Sequence, residues 1–497
     1  MPPTEVIRRV ASDIVAGDHP YLRGAWTPLH EEVNASGLEV IAGRIPTDID
    51  GVYLRNTQNQ VHEPLGRFHI FDADGMIHMM SFHEGRAEYR NRFVRTKGFI
   101  TEQEAGGSVW AGIMEPPTRS KRPGWGAQQG IKDASSTDVV VHAGRGLSTY
   151  YQCGEGYRFD PLTLEPQGTE SWVPLDGISA HPKVDECTGE LLFFNYSTHA
   201  PYMHYGVVDA SNRLVHYVPI PLPGPRLPHD MAFTEHYAIL NDLPLFWDPE
   251  LLKQGQHAVR FHPEIPSRFA ILPRRGGTAD IRWFEAAPTY VLHWLNAWEE
   301  GDEIVMVGTP YRMHETDDGR IDARRLERTI HYRQRDFLLY EWRFDLKRGT
   351  TRERVIDDVL NSEFPVINTD YQGRPNRWSY NVVFPPGGKE EPRFPGLVKY
   401  DLQTGGYVAF SEGPHTFYNE PGFAPRDVRE IVAMAKEQPG KLAYGSPGAG
   451  TGMHMAGELF NLSAGIQLVH VAYRGNGPMV NDLLGGQIPL AIGDLAA

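Results

Sequence analysis

Three histidines stand in company that could do chemistry: His181 in DGISAHPKVD, His229 in PLPHDMAFTEHY and His293 in YVLHWLNAWEE. Each lies near a strand end beside a turn-forming or capping group, and imidazole there can serve as a metal ligand. The chain has 21 histidines, so most must be surface or hydrogen-bonded structural residues, and spacing alone does not single these three out. What would single them out is an architecture that turns several strand ends toward one point.

The elements available for this are strands. Residues 1–426 are rich in aromatic and β-branched residues broken by Gly and Pro, and short apolar runs alternate with turn signals, as in an all-β chain. One hairpin signal recurs, in RFDPLTLEP (158–166), KVDECTGELLFF (183–194), FDLKRGTTRERV (344–355) and KYDLQTGGYVAF (399–410): an Asp before a short turn that usually ends at Gly or Thr. An Asp capping its own turn, with Gly supplying positive φ, suits a three-to-five-residue hairpin loop. Many such hairpins over more than 400 residues fit a β-propeller better than a sandwich, because a propeller adds blades without enlarging one core.

The texture changes at Asp427. All 10 tryptophans precede residue 379, whereas 427–497 is rich in Ala, Gly and Leu. Asp427 can cap a helix carrying Val428, Ile431, Val432 and Ala435 on one face and ending at Pro439 and Gly440. LAYGS then reads as a strand, SPGAGTG as a glycine-rich turn into a helix through Glu458 and Phe460, LVHVAY as a second strand, and PMVNDLLGG followed by IPLAIGDL as a last helix and strand. That is a βαβαβ pattern, so the expected domains are residues 1–426, all-β, and residues 427–497, α/β.

Composition limits the partners. A formal net charge of −15 without a basic run excludes nucleic acid and anionic membrane surfaces. Two cysteines, Cys153 and Cys187, build neither a disulfide framework nor a multi-cysteine metal site, which points to a reducing compartment. The N-terminus lacks the apolar core of a signal peptide, and no run of about 18 apolar residues could span a bilayer. The expected location is the cytoplasm.

The strings GVYLRNTQNQ (51–60), FHIFDADGMIHMMSF (68–82), YRNRFVRT (89–96), ISAHPKVDECTGEL, LPHDMAFTEHY, LHWLNAWEE, SEFPVIN (362–368) and NEPGFAPR (419–426) resemble the carotenoid cleavage oxygenase family, in that family's order, over nearly all of residues 30–426. The resemblance implies a seven-bladed β-propeller with Fe2+ on its axis held by four histidines, and oxidative cleavage of a C=C bond by O2. By matched motif, three ligands are His181, His229 and His293. Neutral imidazoles suit Fe(II), and a site without carboxylate ligands keeps the ion's double charge while leaving positions open for O2. Carboxylates around it would fix each ring's tautomer by accepting its remote N–H. Glu363 in SEFP and Glu420 in NEP match two of the family's three such glutamates. For the third, spacing counted back from YRFDP lands on Gln152, and the nearest carboxylate is Glu155, so the position stays open between them.

Stilbene-cleaving relatives carry a lysine directly before that glutamate. Neither Tyr151 nor the pair Cys153–Gly154 supplies one, which favours an apolar polyene, a carotenoid or apocarotenoid, over a lignostilbene. His62, His69, His78, His83, His142 and His236 lie in or near the motifs but match no ligand position. Trp294, Trp298 and the many phenylalanines suit a tunnel wall or simply a core.

After NEPGFAPR the family pattern stops: its closing strands and the histidine that supplies the fourth ligand are replaced. Residues 441–495 resemble instead the middle of a tripartite-tricarboxylate-transporter-type solute receptor, in which a glycine-rich turn at a helix N-terminus holds a ligand carboxylate. Ser446, Gly448, Gly450 and Thr451 are the candidates there. The expectation is a propeller incomplete at its last blade with a separate α/β segment, and an Fe2+ dioxygenase impaired by the missing ligand. The alternatives are a catalytically inactive chimera and a carboxylate-binding receptor fragment.

Overall fold

The computed structural model describes residues 4–15, 19–41, 43–47, 49–113, 115–123, 132–248, 250–251, 259–324, 335–385, 393–413, 416, 418–421, 432, 435–436, 439–475, 478–479 and 490–492. The chain divides into two compact units, Met1–Phe423 and Ala424–Ala497.

In the first unit, six antiparallel sheets follow one another along the chain. Blade I has five strands, with Gly51–Asn59 at one edge, then Asp74–His83, Arg86–Phe93, Glu31–Ala35 and, at the other edge, Thr4–Arg9. Blade II runs Val139–His142, Arg145–Ser148, Tyr157–Phe159 and Pro166–Thr169. Blade III runs Lys183–Asp185, Glu190–Tyr196, Met203–Val208 and Leu214–Pro219. Blade IV runs Ala232–Phe233, Tyr237–Asp242, Ser267–Pro273 and Arg282–Ala286, with a two-stranded ribbon, Leu245–Trp247 and Val259–Phe261, inserted. Blade V runs Val291–Glu300, Glu303–Pro310, Leu339–Asp345 and Thr350–Asp357, and blade VI runs Ser362–Val366, Trp378–Val383, Gly396–Asp401 and Tyr407–Phe410.

The opening strands of blades II and III, of IV and V, and of V and VI touch one another, while closing strands such as Pro166–Thr169 and Tyr407–Phe410 are exposed along their whole length. There is accordingly no single core. Ile77 and Phe159 pack between blades I and II, Leu147 and Phe193 between II and III, Tyr205 and Leu240 between III and IV, Phe269 and Trp342 between IV and V, and Val305 and Tyr400 between V and VI. The chain returns to blade I near its end, where the Tyr53 hydroxyl donates to the Glu420 carbonyl at 3.4 Å.

The hairpin signals fold as their chemistry dictates. Asp345 accepts from the backbone N–H of Lys347 at 2.9 Å and Arg348 at 2.8 Å, and Gly349 takes φ +70° to enter the next strand. Asp160, Asp185 and Asp401 each accept a turn N–H in the same manner.

Six blades replace the seven that the resemblance implied. Hairpin chemistry repeats within a blade but does not encode how many blades follow. After Phe410 no further antiparallel sheet forms among the described residues. The strands of the second unit, Ala443–Ser446, Val469–Ala472 and Leu490–Ala491, pair in parallel, with Ala443–Ser446 central. Between the first two of these lies the helix Gly452–Ala464, whose N-cap Thr451 hydroxyl accepts from the His454 N–H. Gly457 passes so close to Tyr444 that an added Cβ would sit 2.1 Å from its ring. The expected helix after Asp427 and the segment around PMVNDLLGG lie mostly outside the described residues. Two α-helices, Lys97–Ala105 and Gly452–Ala464, lie wholly among the described residues, and no helix there is long and apolar enough to cross a membrane.

Candidate metal centre

The first strands of consecutive blades deliver the site. His181 lies two residues before Lys183–Asp185, His229 three before Ala232–Phe233, and His293 inside Val291–Glu300. Glu363 lies inside Ser362–Val366. Irregular pairing breaks the ladder beside two of these residues, between Val291 and Trp294 and between Glu363 and Val366. Such bulges re-aim side chains, which is how strand residues come to point along the axis. Phe364 takes φ +54°, a left-handed conformation that few non-glycine residues adopt, and its ring packs 5.2 Å from that of His293.

The three imidazoles converge. One ligand nitrogen from each of His181, His229 and His293 lies within 4.8 Å of the others, and His181 Nε2 and His229 Nε2 are 3.1 Å apart. Two lone pairs facing each other at that distance repel unless a proton or a cation lies between them. Metal–imidazole bonds of about 2.1 Å at right angles would put their nitrogens about 3 Å apart. The donor set therefore fits a divalent first-row ion with nitrogen preference.

The surroundings hold each ring differently. His293 Nδ1 lies 2.8 Å from Glu363, whose Oε1 also accepts from the Thr309 hydroxyl at 2.8 Å. Burial alone would lower the His293 pKa, but the Glu363 charge and hydrogen bond outweigh it and hold the ring at about 9. His229 is pushed well below the ordinary imidazole value by burial, then by His181, His293 and Lys183, so it presents a lone pair. Its segment is pinned by buried Asp230, which pairs with Lys183 at 2.7 Å and accepts from the Trp294 N–H at 2.8 Å. Phe71 stacks parallel to the His229 ring at 6.5 Å and tilts against Tyr151 at 4.8 Å, walling that side with apolar surface.

Glu155 and Gln152, the two candidates for the third position, have partners of their own. Glu155 faces Lys97 at 2.5 Å and accepts from the Tyr157 hydroxyl at 2.8 Å, while the Gln152 amide donates to the Tyr151 hydroxyl at 3.2 Å. The carboxylate on His181 is instead Asp138, with Oδ2 2.9 Å from Nδ1. Nothing in STDVV distinguishes Asp138 from an ordinary strand-start residue, and only the fold brings it to the ring. The Glu420 side chain makes no hydrogen bond to an imidazole among the described residues. Desolvation raises its pKa, although His293 and His181 oppose that shift. Unlike Glu363 it follows the last strand of blade VI, on a segment without sheet pairing to aim it.

Other histidines carry structural hydrogen bonds. His78 Nε2 lies 2.9 Å from the Thr57 hydroxyl and its Nδ1 2.7 Å from that of Tyr89, and His142, His62 and His236 pair with Gly189, Asp13 and Glu299. Trp294 and Trp298 are core residues. In the second unit His454 stacks on His470 at 3.8 Å, and the Ser446 hydroxyl lies 2.7 Å from His470 Nε2. The N–H of Gly450 donates to His454 Nδ1 at 2.9 Å, so the glycine-rich turn spends that group internally.

Sheets that follow one another in blades, with first strands bringing three imidazoles together, define a β-propeller with a candidate metal centre. Solved structures share it: a lignostilbene dioxygenase of Pseudomonas brassicacearum superposes with TM-score 0.71 at 25% identity, covering 84% of this chain and 88% of that one. A cobalt-substituted apocarotenoid oxygenase of Synechocystis has the same fold, with TM-score 0.68 at 24% identity over 82% of this chain and 87% of that one. Residues 26–440 match the model of the RPE65 family, retinal pigment epithelial membrane protein, and the chain belongs to that family. It is 30% identical over 446 residues to carotenoid 9,10(9′,10′)-cleavage dioxygenase 1 of Pisum sativum, covering 82% of this chain and 79% of the relative. It is 28% identical over 435 residues to lignostilbene-α,β-dioxygenase isozyme III of Sphingomonas paucimobilis, covering 82% and 85%. The chain is thus an enzyme of the carotenoid-cleavage dioxygenase type.

Proposed function

We propose that this protein is a non-haem Fe2+ dioxygenase that cleaves a C=C bond of a carotenoid or apocarotenoid with O2, using His181, His229 and His293 as metal ligands. The observation that carries this reading is the convergence of three imidazoles from three successive blades. The bound ion would supply O2 activation. The chain's own residues do the rest. Glu363 keeps the His293 ring turned so that Nε2 faces the centre, burial keeps His229 neutral, and Phe71 and Phe364 present apolar faces that exclude water and accept a polyene. Absence of a lysine at Tyr151 or in the pair Cys153–Gly154 favours a polyene over a phenolic stilbene. Two free cysteines fit a reducing, cytoplasmic setting.

After NEPGFAPR the element that carries the family's fourth histidine has no counterpart in the sequence, and we read the second unit as foreign to the propeller, a fragment like a tricarboxylate solute receptor. Its parallel sheet and capped helix support that reading. Three ligands would bind the ion more weakly and control O2 less well than four.

The test is iron content and turnover of purified protein. About one iron per chain and cleavage of an apocarotenoid are expected, both lost in His229→Ala. A wild-type chain that takes up iron yet cleaves only a stilbene overturns the substrate, and one that takes up none overturns the metal centre. Grafting the family's closing strands with their histidine in place of 427–497 should raise both iron retention and rate. If the natural chain equals the graft, the reading of the second unit as non-catalytic is wrong.

A further inference from the structure

We infer that Asp138 is a positioning residue of the metal centre, the anionic partner that fixes His181 as Glu363 fixes His293; this rests on the metal-centre reading above. Three independent features carry it. The first is contact: Asp138 Oδ2 lies 2.9 Å from His181 Nδ1, against 2.8 Å for the Glu363–His293 pair. Bonding there leaves Nε2 as the nitrogen that faces His229, so one tautomer of His181 is selected.

The second is position. Asp138 directly precedes Val139–His142, the first strand of blade II, as His181 and His229 precede the first strands of blades III and IV. With His293 and Glu363 in the first strands of blades V and VI, five consecutive blades each contribute one residue to the same place. A surface ion pair formed by chance would not complete such a series.

The third is that Asp138 is held without help from the histidine. The Asn56 side chain of blade I donates to the Asp138 carbonyl at 3.1 Å and to the Ser135 carbonyl at 2.9 Å, and the Asp138 carbonyl also accepts from the Thr149 N–H at 3.1 Å. Its Oδ1 is taken by the Val139 N–H at 2.7 Å, which leaves Oδ2 for the ring. A carboxylate anchored in this way orients the imidazole, whereas a loosely held one would be oriented by it. Being shorter than glutamate by one methylene, it reaches His181 only because its backbone stands at the strand mouth. Its charge raises the donor strength of the ring toward a cation.

Co2+ binding to the full chain tests this with readouts other than turnover. Affinity by calorimetry, the visible absorption of the Co2+ form and the melting temperature of the metal-free protein are compared for wild type, Asp138→Asn, Asp138→Ala and, as an exposed carboxylate paired with Lys347, Asp302→Asn. Asp138→Asn and Asp138→Ala should bind Co2+ about 10–100-fold more weakly with a shifted absorption spectrum. Their metal-free melting should stay at the wild-type value, and Asp302→Asn should keep wild-type affinity and spectrum. Should Asp138→Ala not fold, the near-isosteric Asp138→Asn decides. Affinity within twofold of wild type and an unchanged spectrum in a folded variant overturn the inference alone. A wild-type chain that takes up no Co2+ overturns the metal-centre reading and this inference with it.

Discussion

At the residue scale, the Glu363 carboxylate is buried with 1% of its surface exposed and shares Oε1 between His293 and Thr309. Glu363→Gln keeps the shape but removes the charge and offers an amide where an acceptor is needed. Iron retention should fall about 10–100-fold, read as the free chelator concentration that strips half the metal. Equal retention would make Glu363 a structural residue. A different acid contributes to the pH dependence of stability. Asp72 accepts from the Ile113 N–H at 2.9 Å through Oδ1, while its buried Oδ2 has no partner among the described residues. Burial pushes its pKa up to about 7, against the weaker opposing effects of that hydrogen bond and Lys132. The unfolded chain releases this proton near pH 4 and the folded chain near pH 7, so Asp72 lowers stability progressively as pH rises between those values. At about 1.4 kcal/mol per unit the ceiling is about 4 kcal/mol. Asp72→Asn removes the penalty, and Gln60, with an unpartnered Oε1, lines the same small cavity. Its melting temperature should match wild type at pH 4.5 and exceed it at pH 8; a gap independent of pH refutes the assignment.

At the element scale, the site depends on how the blade I strand Asp74–His83 meets the segment leading into blade II. The Gly75 N–H donates to the Ala134 carbonyl at 2.9 Å, and an added Cβ at Gly75 would stand 2.2 Å from the Ser135 carbonyl oxygen. Backbone is on both sides, so no side chain can swing away. Gly75→Ala should cost about 1–3 kcal/mol by overpacking and, because residues 133–138 carry Asp138, should weaken metal binding as well. Urea unfolding and metal titration of the same sample check both halves. A stable variant would mean that the two segments separate freely.

At the scale of the whole molecule, separate blades are tied by buried charge. Asp185, ending the first strand of blade III, receives Arg274 at 2.7 Å from the segment after Ser267–Pro273 of blade IV and Arg374 at 3.1 Å from blade VI. Burial would raise the Asp185 pKa, but the two guanidiniums hold it below the ordinary carboxylate value. Its stabilising contribution is thus present above the unfolded value near 4 and is lost on acidification below it. Asp185→Ala leaves Glu190, at 2.9 Å, as the carboxylate facing Arg274 among the described residues, and should cost about 3 kcal/mol in denaturant at pH 7. A loss under 1 kcal/mol would show that the blades hold together without this centre.

Much of this protein could be read from local chemistry. The Asp-capped turns, the three histidines in their separate strings and the change of texture near residue 427 follow from neighbours within about ten residues, whose interactions any fold would preserve. The rest was settled over distance. His181 meets Asp138 across 43 residues and His293 meets Glu363 across 70, pairings that hairpin spacing cannot encode because they depend on the angle between blades. Glu155 was plausible by proximity in sequence, yet Lys97, 58 residues away, claims it. Blade number was likewise invisible, since each hairpin closes on its own partner strand and only packing between sheets determines how many blades surround the site.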